Sequence, residues 1–437
     1  MTEKLGHKKT MFLTCFTQII GVIVQVTSKT VAQFTIGRIL IYTAVGLVEN
    51  VTPTYQSEVS PAPLRGFFVG SLQLFLTFGS LIAGIVNNEM AKLTTQAGWM
   101  VASGLQALPA VIIIAGLPFT PESPRWLLSR DREDEALAVL EKLRPAQDVQ
   151  DGLVNIELAT MREDFSQQIE GVRKKEPWSS LFKGTNLRRT WIATGIMALQ
   201  QLTGVTFSSS YGPTFYKQVG LGKMAFAYAA INNGVSMVTA IIGMIIFDSL
   251  GRRSVTFYGC IFQAVFLCLI GVLGAKPDRS ASDTHGMVAS FIIYAAILHM
   301  TLGPAAYITA AEVGSSSLRE KTMSIATAVN VVVGFVVVFT TPYLMNPAYA
   351  GLGANLGYVW GGFSALGAIW VWLCMPELKD RTLEEMDELF AARIPAWKFK
   401  SYKTSSLSYD MAVLKSNGDP ENLPKATVVQ LEDAQRD

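Results

Sequence analysis

Apolar residues in this chain are bunched into long runs, and polar residues fall between the runs, not within them. Ten stretches of about 20 residues carry almost no charge, the length a helix needs to cross the hydrocarbon core of a bilayer. They cover roughly 11–28, 34–53, 66–88, 98–118, 191–211, 224–247, 254–275, 286–311, 322–344 and 355–375. None alternates polar and apolar positions over about ten residues, so membrane strands are not indicated. Helices satisfy every backbone amide within their own segment, which lipid requires. The pattern predicts an all-α polytopic membrane protein with about ten transmembrane helices.

Two stretches break the pattern. Residues 121–190 are charged, and DREDEALAVLEKLR within them has an acidic start and helical apolar spacing, predicting short amphipathic helices in water. After the last run comes a polar tail whose opening, PELKDRTLEEMDELF, reads as one helix, followed by a Ser/Lys/Asp-rich stretch with the composition of disorder. The chain therefore divides into a transmembrane bundle (1–120, about four helices), a helical linker domain (121–190), a second bundle (191–375, six helices) and a C-terminal helix and tail (376–437).

Composition agrees with this organisation. Of 437 residues, 50% are hydrophobic and 16% charged, well below the quarter usual in soluble domains. The net charge of +2 argues for neither nucleic acid nor an acidic partner. The four cysteines (Cys15, Cys260, Cys268, Cys374) lie inside apolar runs with no metal or disulfide spacing. Basic residues at span ends set the orientation. Lys4, Lys8, Lys9, Arg65, Arg125, Arg188, Arg189, Arg252, Arg253, Arg319, Lys321 and Lys379 gather on one side, which the positive-inside rule makes cytoplasmic together with both termini.

A repeat with a period of roughly 250 residues is the most informative feature. Glu3-Lys-Leu-Gly-His-Lys-Lys9 is echoed by Asp248-Ser-Leu-Gly-Arg-Arg253. Glu58 and Arg65 are echoed by Glu312 and Arg319, and Pro121-Glu122 by Pro376-Glu377. Two spans precede Asp248 within its half, whereas only Met1 and Thr2 precede Glu3. The expectation is that the chain represents helices three to twelve of a twelve-helix design.

These residues resemble the sugar porter family of the major facilitator superfamily, from Glu3 to about Phe390. The resemblance is carried by GR (37–38), PTYQSEVSPAPLRG (53–66), PESPRWLL (121–128), QQLTG (200–204), DSLGRR (248–253), GPAAYITAAE (303–312) and PELKDRTLEEMDE (376–388). It implies the major facilitator fold, two bundles with a substrate site between them near midplane, and transport of a sugar or related polyhydroxy solute by alternating access. It implies no enzymatic chemistry, no cofactor and no metal. The expected setting is the plasma membrane, and the expected partners are a sugar, the lipid bilayer and, in proton-driven members, protons, for a monomeric carrier. A non-transporting sugar sensor and an inactive truncated carrier are the alternatives.

A sugar offers a ring of hydroxyls and an apolar face, so its site needs amides and an aromatic plate. The resemblance places substrate contacts at Gln73, Gln200, Gln201, Tyr211, Tyr307 and Asn330. Thr206 stands where asparagine is usual, Ser210 replaces a tyrosine, Ser236 stands where asparagine is common, and Val331 replaces a frequent tryptophan. These shorter side chains imply a pocket altered toward a larger or less polar ligand. A second set reads as a cytoplasmic gate: Glu58, Arg65, Glu122, Arg125, Asp248, Arg252, Arg253, Glu312, Arg319 and Glu377, with carboxylates of one half pairing with arginines of the other. As exposed pairs they are each worth only about 0–1 kcal/mol, weak enough to open in each cycle. Arg38, an arginine inside a span, needs a partner and is the candidate coupling residue. In proton-driven relatives that partner is an aspartate of the first helix.

Overall fold

The computed structural model describes residues 2–402 except 62–63, 91–92, 94, 172–176, 222–223, 277, 279, 316, 380, 382 and 400; the side chains of Glu3, 163–171, Phe226, Asp248 and Glu384 are likewise outside the description. The described secondary structure is entirely helical. In the first half, α1 (Thr2–Leu5), α2 (His7–Val26), α3 (Val31–Val59) and α4 (Arg65–Met90) are followed by α5 (Ala97–Gly104) and α6 (Ala107–Gly116), two pieces of one span. The linker holds α7 (Pro124–Leu128), α8 (Glu133–Leu143), α9 (Ala146–Gln150) and α10 (Leu153–Gly171). The second half holds α11 (Gly184–Leu202), α12 (Val205–Gln218), α13 (Ala225–Leu250), α14 (Arg252–Gly274), α15 (Ala281–Met300), α16 (Leu302–Val313), α17 (Arg319–Met345) and α18 (Leu356–Cys374), and α19 (Leu383–Ala391) follows.

All ten apolar runs are helical. Nine helical segments among the described residues are long and apolar enough to cross a membrane. The tenth, α11 with α12, falls short because it carries Gln200, Gln201, Thr203, Thr206 and Ser208–Ser210 in its middle. That concentration of amides and hydroxyls suits a lined cavity and not lipid.

Two spans of the second half are broken at depth. α11 ends at Thr203, and Gly204 takes a left-handed turn (φ 93°) before α12 resumes. α15 ends at Thr301 (φ −119°, ψ −85°), and Pro304, which has no backbone N–H to donate, sits in the first turn of α16. α16 is buried along its whole length and packs against α4, α11 and α15. Both breaks thus face the centre of the molecule, where α4 of the first half meets the second.

The linker builds a small core of its own from Leu127, Ala136, Leu140, Val154, Leu158 and Met161. Arg144 clamps this unit by a bidentate pair with Glu157 (2.6 and 2.8 Å) and donates to the Val59 carbonyl at the end of α3. The segment after Cys374 departs from expectation. Pro376–Lys379 is not helical, and α19 begins only at Leu383. Leu378, Met386, Leu389, Phe390 and Phe399 pack beneath the second bundle with Ile192 and Val313. Arg188 and Arg189 stack on Phe390, and Arg189 also pairs with Asp387. The Ser/Lys/Asp-rich tail lies outside the described residues.

Candidate functional site

The amide residues singled out in the sequence converge on the two helix breaks. Gln200 Nε2 donates to the Gly303 carbonyl at 2.8 Å, so the last turn of α11 is tied to the start of α16. Asn330 of α17 donates through Nδ2 to Gln200 Oε1 (2.9 Å) and to the Met197 carbonyl (2.9 Å). Gln201 Nε2 donates to Asn330 Oδ1 at 3.0 Å, and the Thr206 hydroxyl donates to Gln201 Oε1. The result is one directed chain of donors running from Thr206 through Gln201, Asn330 and Gln200 to Gly303. Gln201 fits here because Gly334 has no side chain; a Cβ there would stand 3.3 Å from the Gln201 amide.

The first half contributes Gln73 of α4. Its Nε2 lies 3.1 Å from His299 Nδ1 at the end of α15, and its side chain packs on Gly303, where a Cβ would come within 3.1 Å. Gly303 therefore touches Gln73 from one half and Gln200 from the other. The Tyr211 hydroxyl donates to the Val338 carbonyl, laying the half-buried ring of α12 across α17. Tyr307 is buried in α16. Ser236 is also buried, on α13, and its Oγ has no hydrogen-bond partner among the described residues. Nearby on the same helix, Asn232 Oδ1 is likewise unpaired.

Arg38 does not meet a carboxylate among the described contacts. Its guanidinium lies over the rings of Phe34 and Tyr42 (5.8 and 5.7 Å to the centroids), one turn to either side on α3. Glu49, further along the same helix, has neither a salt-bridge nor a hydrogen-bond partner among the described residues, and Tyr307 is close enough to feel its charge.

The charged residues gather at the face that carries the N-terminus and α19. Glu122 and Glu377 occupy equivalent places. Glu122 accepts the backbone N–H groups of His7 (2.9 Å) and Lys8 (3.2 Å) at the start of α2. Glu377 accepts those of Arg252 (2.8 Å) and Arg253 (3.3 Å) at the start of α14. Each carboxylate thus caps a helix N-terminus, satisfying orphan donors and the positive end of the dipole. Each is preceded across the contact by a glycine of positive φ, Gly6 (83°) and Gly251 (93°), at which a Cβ would stand 2.6 Å from the carboxylate. The Glu122 carboxyl sits below its ordinary value: burial alone raises it, but hydrogen bonds from His7 and Ser123 outweigh burial.

The gate pairings differ in part from the cross-half scheme. Glu58 does reach the other half, with Oε1 3.9 Å from the Arg319 guanidinium, and it also accepts from Ser123 (2.6 Å). Arg65 crosses as well, but to the Arg381 carbonyl (3.1 Å), while its Nε donates to Ser57. Arg125 is buried near both Arg65 and Arg319. By contrast, Arg252 and Glu312 (3.6 Å) belong to the same half, and the Arg253 guanidinium donates to the Trp372 carbonyl (2.6 Å). The Asp248 side chain lies outside the described residues. Nor are the described pairs exposed: Glu58 keeps 10% of its side-chain surface and Arg319 only 2%. The surface-pair magnitude therefore does not apply, because desolvation enters on both sides of the balance.

The sequence alone did not single out His299, His7 or the Asn50–Ser324 hydrogen bond (2.6 Å), which joins α3 to α17. His299 carried one available signal, a titratable side chain four residues before the GPAAY motif inside an apolar run.

Two bundles, each with the same motif at the same face, and a polar centre between them define a polytopic carrier of the major facilitator type. The proton:xylose symporter XylE, bound to 6-bromo-6-deoxy-D-glucose, has the same fold with a TM-score of 0.78, 22% identity, and coverage of 89% of this chain and 84% of its own. Residues 1–390 match the sugar (and other) transporter family, and the chain belongs to that family. It is 28% identical to a probable high-affinity hexose transporter of Schizosaccharomyces pombe, over 98% of this chain and 84% of that protein. It is 30% identical to a probable glucose transporter of Neurospora crassa, over 92% of this chain and 69% of that protein. The protein is a multi-pass membrane protein that transports a sugar or related polyhydroxy solute, as the motifs implied.

Proposed function

We propose that the chain carries a sugar or related polyhydroxy solute by alternating access, binding it between the halves at Gln73, Gln200, Gln201, Thr206, Tyr211, Ser236, Tyr307 and Asn330. The observation that supports this most is the junction at Gly303, where amides from both halves meet two interrupted helices. Primary amides donate and accept at once, which is what a ring of hydroxyls requires. Breaks at depth leave backbone groups to be satisfied by side chains or by substrate, so rocking of the halves alters the site itself. The gate residues Glu58, Arg65, Glu122, Arg125, Asp248, Arg252, Arg253, Glu312, Arg319 and Glu377 close the face that carries the N-terminus and α19, and on this reading that face is cytoplasmic, with both termini, in the plasma membrane. The buried Glu58–Arg319 pair supports that reading. The hydroxyl side chains at 206, 210 and 236 leave room for a ligand with bulk beyond a plain hexose.

Protons are the coupling ion on this reading. Arg38 and Glu49 of α3 are the intramembrane ionisable groups of the first half that support it, and an ionisable residue at that depth is a functional candidate by default. The test is uptake of radiolabelled monosaccharides into proteoliposomes, with and without an inward proton gradient. Saturable uptake abolished by Gln200→Ala, and accelerated by the gradient, is expected. Specific binding without uptake would replace the carrier with a sensor.

A further inference from the structure

The repeat that builds the gate is not symmetric in its cations. In the second half, Gly251 is followed by Arg252, whose guanidinium lies 3.6 Å from Glu312. The equivalent place in the first half, after Gly6, holds His7, and the equivalent of Glu312 is Glu58. His7 Nε2 lies 3.8 Å from Glu58 and Nδ1 3.6 Å from Glu122, with only 2% of the side chain exposed. Neither ring nitrogen makes a hydrogen bond among the described residues. The Tyr55 ring of α3 stands 5.6 Å away, and Glu320 of α17 adds its field from the other half. The cations around this cluster are Lys8 on α2, Arg125 beside Arg319, and Arg130, which lies over Trp126 and donates to the Lys4 carbonyl. The other helices packed on α2, α5 and α6, carry no ionisable side chain.

A neutral imidazole has one N–H and one bare nitrogen, so between two carboxylates its bare nitrogen faces an oxygen. Only the imidazolium offers an N–H to both, whereas burial opposes the charge. An arginine stays charged across the physiological range, and a histidine changes its charge within it. We infer that His7 makes the gate responsive to pH, its protonation easing the parting of the halves. Parting takes Arg319 and Glu320 away with α17, while His7, Glu58 and Glu122 stay together in the first half. With His7 neutral, Glu58 loses the cation that faces it at 3.9 Å; with His7 charged, a cation remains beside it. Water entering the parted face also relieves burial, the largest influence on the charge of the ring, ahead of Glu58, Glu122 and Glu320. Relief of burial therefore outweighs the lost attraction of Glu320. The parted form binds the proton more tightly, and acid favours that form. This rests on the alternating-access reading above and goes beyond it, since the sugar site takes no part.

The experiment places spin labels at Ser129, after α7, and at Ala392, after α19, both exposed, in the full chain with its four cysteines replaced by alanine. Distances between the labels are measured by double electron–electron resonance in lipid nanodiscs at pH 8 and pH 5.5, without sugar, for His7, His7→Arg and His7→Gln. With His7, the long-distance population is expected to grow on acidification by up to roughly tenfold, the shift that a tenfold difference in proton affinity between two forms allows. His7→Arg should hold the acid population at both pH values, and His7→Gln the alkaline one. Arginine is what the second half carries at this place, so loss of the pH step in that variant decides the matter even if the glutamine variant does not fold. A pH step of full size in either variant, shifts of the same sign in both, or one unchanging distance throughout overturns the role of His7. Uptake of radiolabelled D-glucose by the unlabelled protein separates the two readings. Transport with a pH-insensitive gate removes only the role of His7, and the expected pH step without transport removes only the carrier.

Discussion

Glu58 of α3 and Arg319 of α17 face each other across the two halves at 3.9 Å, almost wholly removed from water. The contact ties the two halves together at one face of the molecule, beside the first-half partners of Glu58, Ser123 (2.6 Å) and His7 (3.8 Å). Removing one member leaves the other buried with less compensation, at a cost of up to about 3–5 kcal/mol and less for Glu58, which keeps Ser123 and His7. Glu58→Gln and Arg319→Gln are therefore each expected to lower the unfolding temperature and to slow uptake by roughly tenfold. The double variant should lose less than the sum, with a coupling of about 1–3 kcal/mol. A double-mutant cycle on thermal stability and maximal uptake rate checks this, and strict additivity would count against the pair.

The chain of amides from Thr206 to Gly303 has a different signature. Each member orients the next, so removing any one leaves its neighbours pointing wrongly. Asn330→Ala, which deletes the donor to Gln200 and the acceptor for Gln201 together, is expected to raise KM by roughly tenfold or more. Adding Gln201→Ala should change it little further. Uptake kinetics of the single and double variants decide the matter.

Much of this was legible in the sequence because membrane helices announce themselves by length and hydropathy, and because the repeat placed acids and bases in order. The Gly6–Glu122 and Gly251–Glu377 contacts are that repeat in three dimensions: the same carboxylate on the same helix start, once in each half. What the sequence could not supply was partner choice. Packing brings Arg252 to 3.6 Å from Glu312 of its own half, a pairing that the motif spacing does not specify. His299 was missed for a related reason. A lone histidine in an apolar run has no periodicity, and its meaning depends on Gln73, more than 200 residues away in the chain. The non-helical Pro376–Lys379 stretch was read as helix because its charge pattern continues that of α19, whereas Glu377 is drawn out to cap α14.

The glycine of this motif supplies a sharper stability test. At φ 93° and ψ 149°, a region adopted almost only by glycine, an L-residue is strained by about 1–3 kcal/mol, and at Gly251 a Cβ would also collide with the Glu377 carboxylate. Gly251→Ala should therefore destabilise by more than that strain, since the cap is displaced as well. Gly362, on an exposed stretch of α18 with nothing near its missing Cβ, is the control. Alanine there should stabilise by up to about 1 kcal/mol through helix propensity. Thermal unfolding of the two variants in the same detergent should move in opposite directions.

Glu122 makes the first-half cap dependent on pH in a known direction. Its carboxyl is held below the ordinary carboxylate value, with hydrogen bonds from His7 and Ser123 overcoming burial. A group whose folded value is depressed adds stability that is present above its unfolded value and is lost as pH falls through the folded one. Wild type should accordingly lose this contribution only as pH falls below about 4.3, the ordinary glutamate value, toward the depressed folded one. Glu122→Gln keeps the shape but lacks the charge at the N-terminus of α2, so it should be less stable at neutral pH and should change less on acidification. The gap between the two unfolding temperatures is thus expected to narrow as pH falls. A constant gap across that range would mean that Glu122 acts through packing alone, and a widening gap would reverse the sign of the assigned interaction.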